Sequence, residues 1–138
     1  MIAWDVAEPV GFATCLPLSD ETPNVVGPFQ AAGLDPAEWF YFGESVLLRP
    51  YRGRGAGVRF FEGREAQARS CNAVHAAFCA VQRPAGHPAR PPDAVALDGF
   101  WRNRGYAPQP GLTCTMRWQD LGDDGDSDHL MQFWTKTL

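Results

Sequence analysis

Residues 42–69, FGESVLLRPYRGRGAGVRFFEGREAQAR, constrain the fold more than any other part of the chain. Aromatic and β-branched residues at 39–48 predict a strand, and the apolar spacing at 57–69 predicts an amphipathic helix. A loop of glycine and arginine joins them. The first amides of such a helix have no partners within it, the helix dipole favours an anion there, and glycines allow a ligand to approach closely. The segment therefore predicts a binding site for a pyrophosphate.

The loop matches neither of the two common nucleotide-binding fingerprints. A P-loop requires a lysine directly after its last glycine, and no lysine follows Gly57. The dinucleotide fingerprint requires a further glycine three residues after its second one, but Val58 and Phe60 occupy the two possible positions. The pattern that remains is Arg-x-x-Gly-x-Gly, formed by Arg52, Gly55 and Gly57.

Composition predicts one globular domain, residues 1–138, because 45% of the residues are hydrophobic and the length is sufficient for a core. The net charge of −4 argues against a nucleic-acid partner. All twelve basic residues except Lys136 are arginines, which suit bidentate phosphate contacts. Four cysteines without a CxxC pair indicate reduced thiols and a cytoplasmic protein. No apolar run is long enough to predict a membrane span or a membrane partner.

The remaining periodicity predicts the order of the other elements. In chain order these are a hairpin of strands at 1–7 and 10–17, a long loop at 18–36, a buried strand at 74–81, a loop at 82–92, a helix at 93–104 that ends at Gly105, a strand at 112–118, and a C-terminal tail helix at 126–138 with Ser127 as its cap.

This order resembles the GCN5-related N-acetyltransferase family over residues 2–118. Arg52, Gly55 and Gly57 are similar to the family's pyrophosphate loop, Gln/Arg-x-x-Gly-x-Gly/Ala. Residues 100–106, FWRNRGY, are similar to its Phe-Tyr-x-x-x-Gly-Phe/Tyr motif. The resemblance implies an α+β fold, an acyl-CoA N-acyltransferase-like twisted mixed sheet flanked by helices. The family's N-terminal strand and helices, which form part of the acceptor-side wall, have no counterpart here.

The resemblance also implies the activity, in which acetyl-CoA is the co-substrate and its acetyl group passes by direct attack to an amine on a small molecule or peptide. No metal is implied. The alternative is a non-catalytic CoA-binding or interaction domain derived from the same fold. By resemblance, backbone groups of two leucines would hold the pantetheine and the loop would hold the pyrophosphate. The implied cofactor-binding residues are Leu47, Leu48, Arg52, Gly53, Arg54, Gly55, Ala56 and Gly57.

Two residues are candidates for the proton transfers. Glu44, on the strand that faces the cleft, resembles the base of some relatives, and we expect it to be buried among Phe40, Phe42 and Val46. The alternative interpretation is that Glu44 is a carboxylate that pairs with a nearby arginine or is exposed to water. Relatives often use a tyrosine as the acid that protonates the leaving thiolate.

Trp101 stands at the position of that tyrosine, and an indole cannot serve as such an acid. Tyr106 is the substitute that we predict, with Tyr51 and Cys79 as alternatives.

Two patterns that resemble metal sites have simpler explanations. Cys71, His75 and Cys79 are spaced for a helix, but the last two fall on the strand predicted at 74–81. The aspartates at 124–128 open like a calcium loop, but His129 replaces the required glycine.

An uncovered apolar surface on the first two strands, together with an apolar tail helix, predicts a possible homodimer. The tail helix would contribute Leu130, Phe133 and Trp134 to that interface.

Overall fold

The computed structural model describes residues 1–83, 86–87 and 94–138. Within these residues the chain forms eight strands and three α-helices, with short 3-10 helices at Leu18–Asp20, Pro36–Glu38 and Arg49–Tyr51. The elements are β1 (Ile2–Asp5), β2 (Glu8–Ala13), β3 (Leu16–Pro17), α1 (Pro23–Ala31), β4 (Trp39–Tyr41), β5 (Ser45–Leu47), α2 (Ala56–Ser70), β6 (His75–Val81), α3 (Asp98–Arg102), β7 (Ala107–Trp118) and β8 (Ser127–Thr137).

The strands form two sheets, in the orders β1-β2-β5 and β3-β4-β6-β8-β7. β4 and β6 are parallel and α2 is the crossover between them, whereas the other pairs are antiparallel. Parallel neighbours require such a crossover, which explains why the helix follows the loop. The predicted α+β fold, a mixed sheet flanked by helices, is confirmed.

The strand predicted at 39–48 is divided between the two sheets. β4 pairs with β6, and the Phe42 amide continues this pairing to the Ala77 carbonyl at 2.8 Å. The chain then bends, because hydrogen bonds join Gly43 and Glu44 to Thr14, and β5 pairs with β2 instead. The two parallel strands therefore diverge after Phe42.

The larger sheet has a separate apolar core on each face. On one face α1 buries Val25 and Phe29 against alternate residues of the central strands, including Tyr41 and Phe133. On the other face α2 buries Phe61 and Ala68 in a cluster that contains Phe42, Phe78, Tyr106 and Trp134. The strands β4, β6 and β8 supply both cores by simple alternation of their side chains.

The prediction of a loop at 18–36 is wrong, because α1 lies within it. Pro23 occupies the first turn, where proline is well tolerated, and Thr22 precedes the helix. Val25, Val26 and Phe29 are buried. Gly27 and Pro28 made the segment resemble a loop, but burial of these three side chains outweighs the low helix propensity.

The prediction of a tail helix at 126–138 is also wrong. β8 lies between β6 and β7, with pairs running from His75↔Thr137 to Val81↔Met131. The spacing of four residues that indicated a helix is also a multiple of two, so it fits the alternation of a strand. Phe133 and Trp134 are buried within this chain, so they are not available for the predicted dimer contact.

The other element predictions differ mainly at their ends. The strand at 74–81 is confirmed as β6, and the helix at 57–69 as α2. The strand at 112–118 extends back to Ala107. Of the helix predicted at 93–104, Asp98–Arg102 is helical, and residue 93 lies outside the described residues, as does most of the predicted loop at 82–92. In the described part of the chain, no helix is both long and apolar enough to span a membrane.

Candidate active site

The loop before α2 enters the helix through a left-handed glycine. Gly53 has φ +73° and Gly55, the residue that precedes α2, has φ +87°. A residue with a Cβ is strained in that conformation, which explains both glycines. Gly55 has no side chain with which to cap the first amides of α2, and no added Cβ would meet an atom within 4 Å. The dipole of this fifteen-residue helix and the open space at Gly55 suit the binding of an anion at the start of α2.

Two arginines of the loop are held near this helix end. Arg52 Nε donates to the Leu47 carbonyl at 3.0 Å, which ties the loop to the end of β5. The Arg54 guanidinium lies over the Tyr51 ring, 5.5 Å from its centroid. The Tyr51 hydroxyl in turn donates to Asp5 at 2.6 Å. The loop is therefore braced by β1 and β5, while both arginines remain exposed.

A cleft of about 560 Å³ opens on the α1 face, where β5 leaves the larger sheet. Its walls come from the start of α1, the bend between β4 and β5, and residues of β6, β7 and β8. The lining residues are Thr14, Leu16, Glu21, Thr22, Asn24, Val25, Tyr41, Gly43, Glu44, Cys79, Thr115, Met116, Arg117 and Met131.

Glu44 lies at the bend between β4 and β5, on the wall of this cleft. Its amide donates to Thr14 Oγ1 at 2.9 Å, and its carbonyl accepts from the Thr14 amide at 3.0 Å. Gly43 is required beside it, because a Cβ there would lie 2.7 Å from the same Thr14 oxygen. The expectation that Glu44 is buried among aromatic side chains is wrong, since Glu44 is exposed to the cleft. The backbone bend turns it out of the core.

A pair of protic groups forms the floor of the cleft. Tyr41 Oη lies 3.0 Å from Cys79 Sγ, and Cys114 lies within hydrogen-bonding reach of Cys79. Burial raises the pKa of the Tyr41 hydroxyl, so it stays protonated. The hydrogen bond from Cys114 lowers the pKa of the Cys79 thiol, and that from Tyr41 acts in the same direction against the effect of burial.

Comparison with solved structures identifies the architecture. A ribosomal-protein-alanine N-acetyltransferase from Brucella melitensis superposes with a TM-score of 0.56 and 18% identity over 99% of this chain. A GCN5-related N-acetyltransferase from Rhodopseudomonas palustris gives 0.56 and 18% over 99%. A candidate streptothricin acetyltransferase from Bacillus anthracis, in complex with acetyl coenzyme A, gives 0.60 and 14% over 99%. The chain has the fold of the GCN5-related N-acetyltransferases.

The likeness is one of fold and covers part of each neighbour. The chain spans 67% of the Brucella protein, 59% of the Rhodopseudomonas protein and 60% of the Bacillus protein. No protein-family model and no curated protein sequence matches the chain.

Within the acetyltransferase fold, the predicted cofactor-binding residues differ in how many of their backbone groups already form hydrogen bonds within the protein. The Leu48 amide donates to the Val10 carbonyl, and the Leu48 carbonyl accepts from the Tyr51 amide. The Leu47 carbonyl accepts from Arg52. These bonds already occupy three of the four backbone groups expected to pair with pantetheine. Gly57 serves packing, because a Cβ there would lie 3.2 Å from the Phe100 ring.

Tyr106 lies in the core of the α2 face, away from the cleft lining. It is 1% exposed, and its hydroxyl donates to Glu65 at 3.1 Å. Lys136 donates to the same carboxylate oxygen at 2.8 Å. Burial and the neighbouring Glu65 charge raise the pKa of Tyr106. Its role as general acid stays a prediction, and this environment favours a structural role in joining α2 to the start of β7.

Several polar residues of the cleft were not among the predicted site residues, including Glu21, Asn24 and Tyr41. Glu21 and Asn24 belong to the start of α1, which the sequence pattern concealed, and Tyr41 looked like an ordinary strand residue. The pair Thr22-Pro23, typical of a helix start, was the available signal for the first two. Within the described residues, no group of three or more His, Cys, Asp and Glu side chains is placed to hold a metal ion.

Proposed function

We propose that this protein is an acetyl-CoA-dependent N-acetyltransferase that transfers the acetyl group directly to an amine. The proposal rests on two features that lie at opposite ends of β5, the strand that leaves the larger sheet. The loop that precedes α2 presents helix amides and arginines at the end of β5, and the carboxylate of Glu44 lines a cleft at its beginning. A cofactor that runs along β5 would bring its thioester to that cleft.

The cofactor end of the site suits the pyrophosphate of coenzyme A. The uncapped amides of α2 and the exposed Arg52 and Arg54 supply hydrogen bonds and positive charge. The Bacillus anthracis neighbour is in complex with acetyl coenzyme A, which supports the same ligand for this fold.

At the acceptor end, Glu44 is the base of the proposed reaction. It accepts a proton from the acceptor ammonium, and the freed nitrogen attacks the thioester carbonyl carbon. The C–N bond forms, the C–S bond breaks and the CoA thiolate leaves, while the nitrogen gives up its second proton as the amide forms, which balances the proton that the thiolate takes up. The Tyr41–Cys79 pair on the floor of the cleft is the nearby source of a hydrogen bond or proton for that thiolate.

The experiment that tests the function combines binding and turnover. We expect acetyl-CoA to bind with a dissociation constant of about micromolar size, measured by calorimetry. CoA release in the presence of a panel of primary amines should exceed that in buffer alone. Binding without amine-dependent release would instead support the non-catalytic CoA-binding domain.

Gly55→Glu identifies the binding site. It strains a residue at φ +87° and places a negative charge where the pyrophosphate would lie, so acetyl-CoA affinity should fall by about 100-fold or more. Gly122→Glu is the matched control, because Gly122 has φ +94°, also in open space, and lies in the turn between β7 and β8. Equal affinity in the two variants would place the cofactor elsewhere.

A further inference from the structure

The charged side chains that line the cleft are Glu21, Glu44 and Arg117. Arg117 is engaged by acidic partners, since its guanidinium lies 3.4 Å from Asp128 and 4.0 Å from Asp126. Within the described residues, neither glutamate forms an ion pair with a basic side chain. The cleft therefore presents two carboxylates whose charge this part of the chain does not compensate.

The two carboxylates stand on different walls above one floor. Glu44 is at the bend after β4, and Glu21 lies two residues before α1. Glu21 is close enough to act electrostatically on Tyr41, and Glu44 acts likewise on Cys79. Because Tyr41 and Cys79 are in hydrogen-bond contact at 3.0 Å, both carboxylates lie near the same part of the cleft floor.

Glu21 is held in place rather than free. Its Oε2 accepts a hydrogen bond from the Thr22 amide at 2.9 Å. Asn24, on the first turn of α1, donates to the Thr115 carbonyl of β7 at 2.6 Å. Val25 and Phe29 anchor the same helix in the core. The wall that carries Glu21 is therefore fixed to the sheet.

Removal of a proton from one ammonium requires one carboxylate, and Glu44 is the one at the strand divergence. Glu21 then has no part in that step. We propose that Glu21 binds a second cationic group of the acceptor, so that the substrate class is a small diamine. This inference rests on the proposed function. The cleft volume of about 560 Å³ lies within the usual range of small-molecule sites, roughly 300–1,000 Å³.

The test uses a pair of probes with the same carbon chain, 1,4-diaminobutane and butylamine. In the wild-type protein we expect kcat/KM for the diamine to exceed that for the monoamine by about 10-fold to 100-fold, the size of one charge-assisted hydrogen bond. In Glu21→Gln this ratio should fall to near one, mainly through KM for the diamine. The glutamine oxygen can still accept from Thr22, so α1 should keep its start.

The control is Asp20→Asn, which removes the same charge one residue away but outside the cleft lining. It should retain the wild-type ratio. Calorimetric binding of the two amines to the wild type and to Glu21→Gln should show the same preference and its loss, whether or not transfer occurs.

The outcomes separate this inference from the proposed function. No acetyl-CoA binding, or no release of CoA with any amine, would count against the function, and the amine-binding measurement would still decide the role of Glu21. Acetylation of both probes with equal efficiency, or a preference that persists in Glu21→Gln, would overturn the diamine inference alone.

Discussion

The two sides of the candidate site are constructed in opposite ways. The proposed cofactor side is a single continuous stretch, residues 49–57, in which backbone amides and two arginines would supply the binding groups. The proposed acceptor side is a cleft whose lining comes from six different elements and their connections, and side chains would supply its chemistry. The first kind of site depends on local residues and the second on which strands become neighbours.

The two sides also differ in charge. Arg52 and Arg54 stand beside the start of α2, whereas Glu21 and Glu44 line the cleft under α1. An anionic cofactor and a cationic acceptor would each meet the opposite charge. Loss of a group on one side should therefore leave binding on the other side largely intact.

The largest expected effect tests this separation at Glu44. Glu44→Gln should lower the rate constant of transfer by about 10²–10⁴, the usual contribution of a general base, with acetyl-CoA affinity nearly unchanged. Single-turnover kinetics and calorimetry on one preparation measure the two quantities. Glu62→Gln, an exposed carboxylate of α2 that pairs with Arg59, is the control for the charge change. Full activity in Glu44→Gln would remove it from the mechanism.

A matched pair of core substitutions separates the two faces by stability and affinity. Phe29→Ala on the α1 face and Phe61→Ala on the α2 face should each reduce the free energy of unfolding by about 3–5 kcal/mol. Phe29 contacts Trp39 and Phe133 at centroid distances of 5.1 and 4.9 Å, so its loss loosens α1. We expect a higher acceptor KM in Phe29→Ala and weaker acetyl-CoA binding in Phe61→Ala. An effect of Phe29→Ala on acetyl-CoA binding, or of Phe61→Ala on the acceptor KM, would show that the two faces are coupled.

Tyr106→Phe should have a smaller effect, on stability. It removes the hydroxyl that donates to Glu65, while Lys136 retains its contact with that carboxylate. The free energy of unfolding should fall by about 1–3 kcal/mol, as for a buried hydrogen bond to a charged group. Chemical denaturation and turnover per folded molecule distinguish the roles. A loss of turnover of about 10² or more at unchanged stability would restore Tyr106 as the general acid.

The smallest effect concerns pH and Asp120, near the far end of the α1 face. Partial burial opposes its ionisation, but the Trp118 indole and the Arg83 guanidinium outweigh this and hold the pKa of Asp120 below its ordinary value. A lowered folded-state pKa adds stability above the unfolded-state pKa of about 4, and this is lost as the pH falls. Asp120→Asn should therefore be less stable than wild type at pH 7, and the difference should shrink below about pH 4. A stability difference between wild type and Asp120→Asn that is the same at all pH values would contradict this.

The sequence predicted the conformation of the loop before α2 in most of its detail, whereas the roles of its residues in cofactor binding stay predictions. Gly53 and Gly55 indicate a turn with positive φ because that conformation is a property of single residues. Glu44 was recognised, but its exposure was not, because the bend that turns it outward depends on Thr14, thirty residues earlier. Glu21 was overlooked because Gly27 and Pro28 concealed the helix that it precedes.

The sequence alone determined the parts of this protein that rest on local physics: the loop, the amphipathic α2 and the buried run that forms β6. Tertiary structure decided that residues 127–137 form a strand, because pairing with β6 and β7 on both sides stabilises it, whatever its own periodicity allows. Tertiary structure also formed the cleft. Hydrogen bonds to Thr14 draw β5 into a second sheet, and only the resulting divergence brings the walls of Glu21 and Glu44 around the floor of Tyr41 and Cys79.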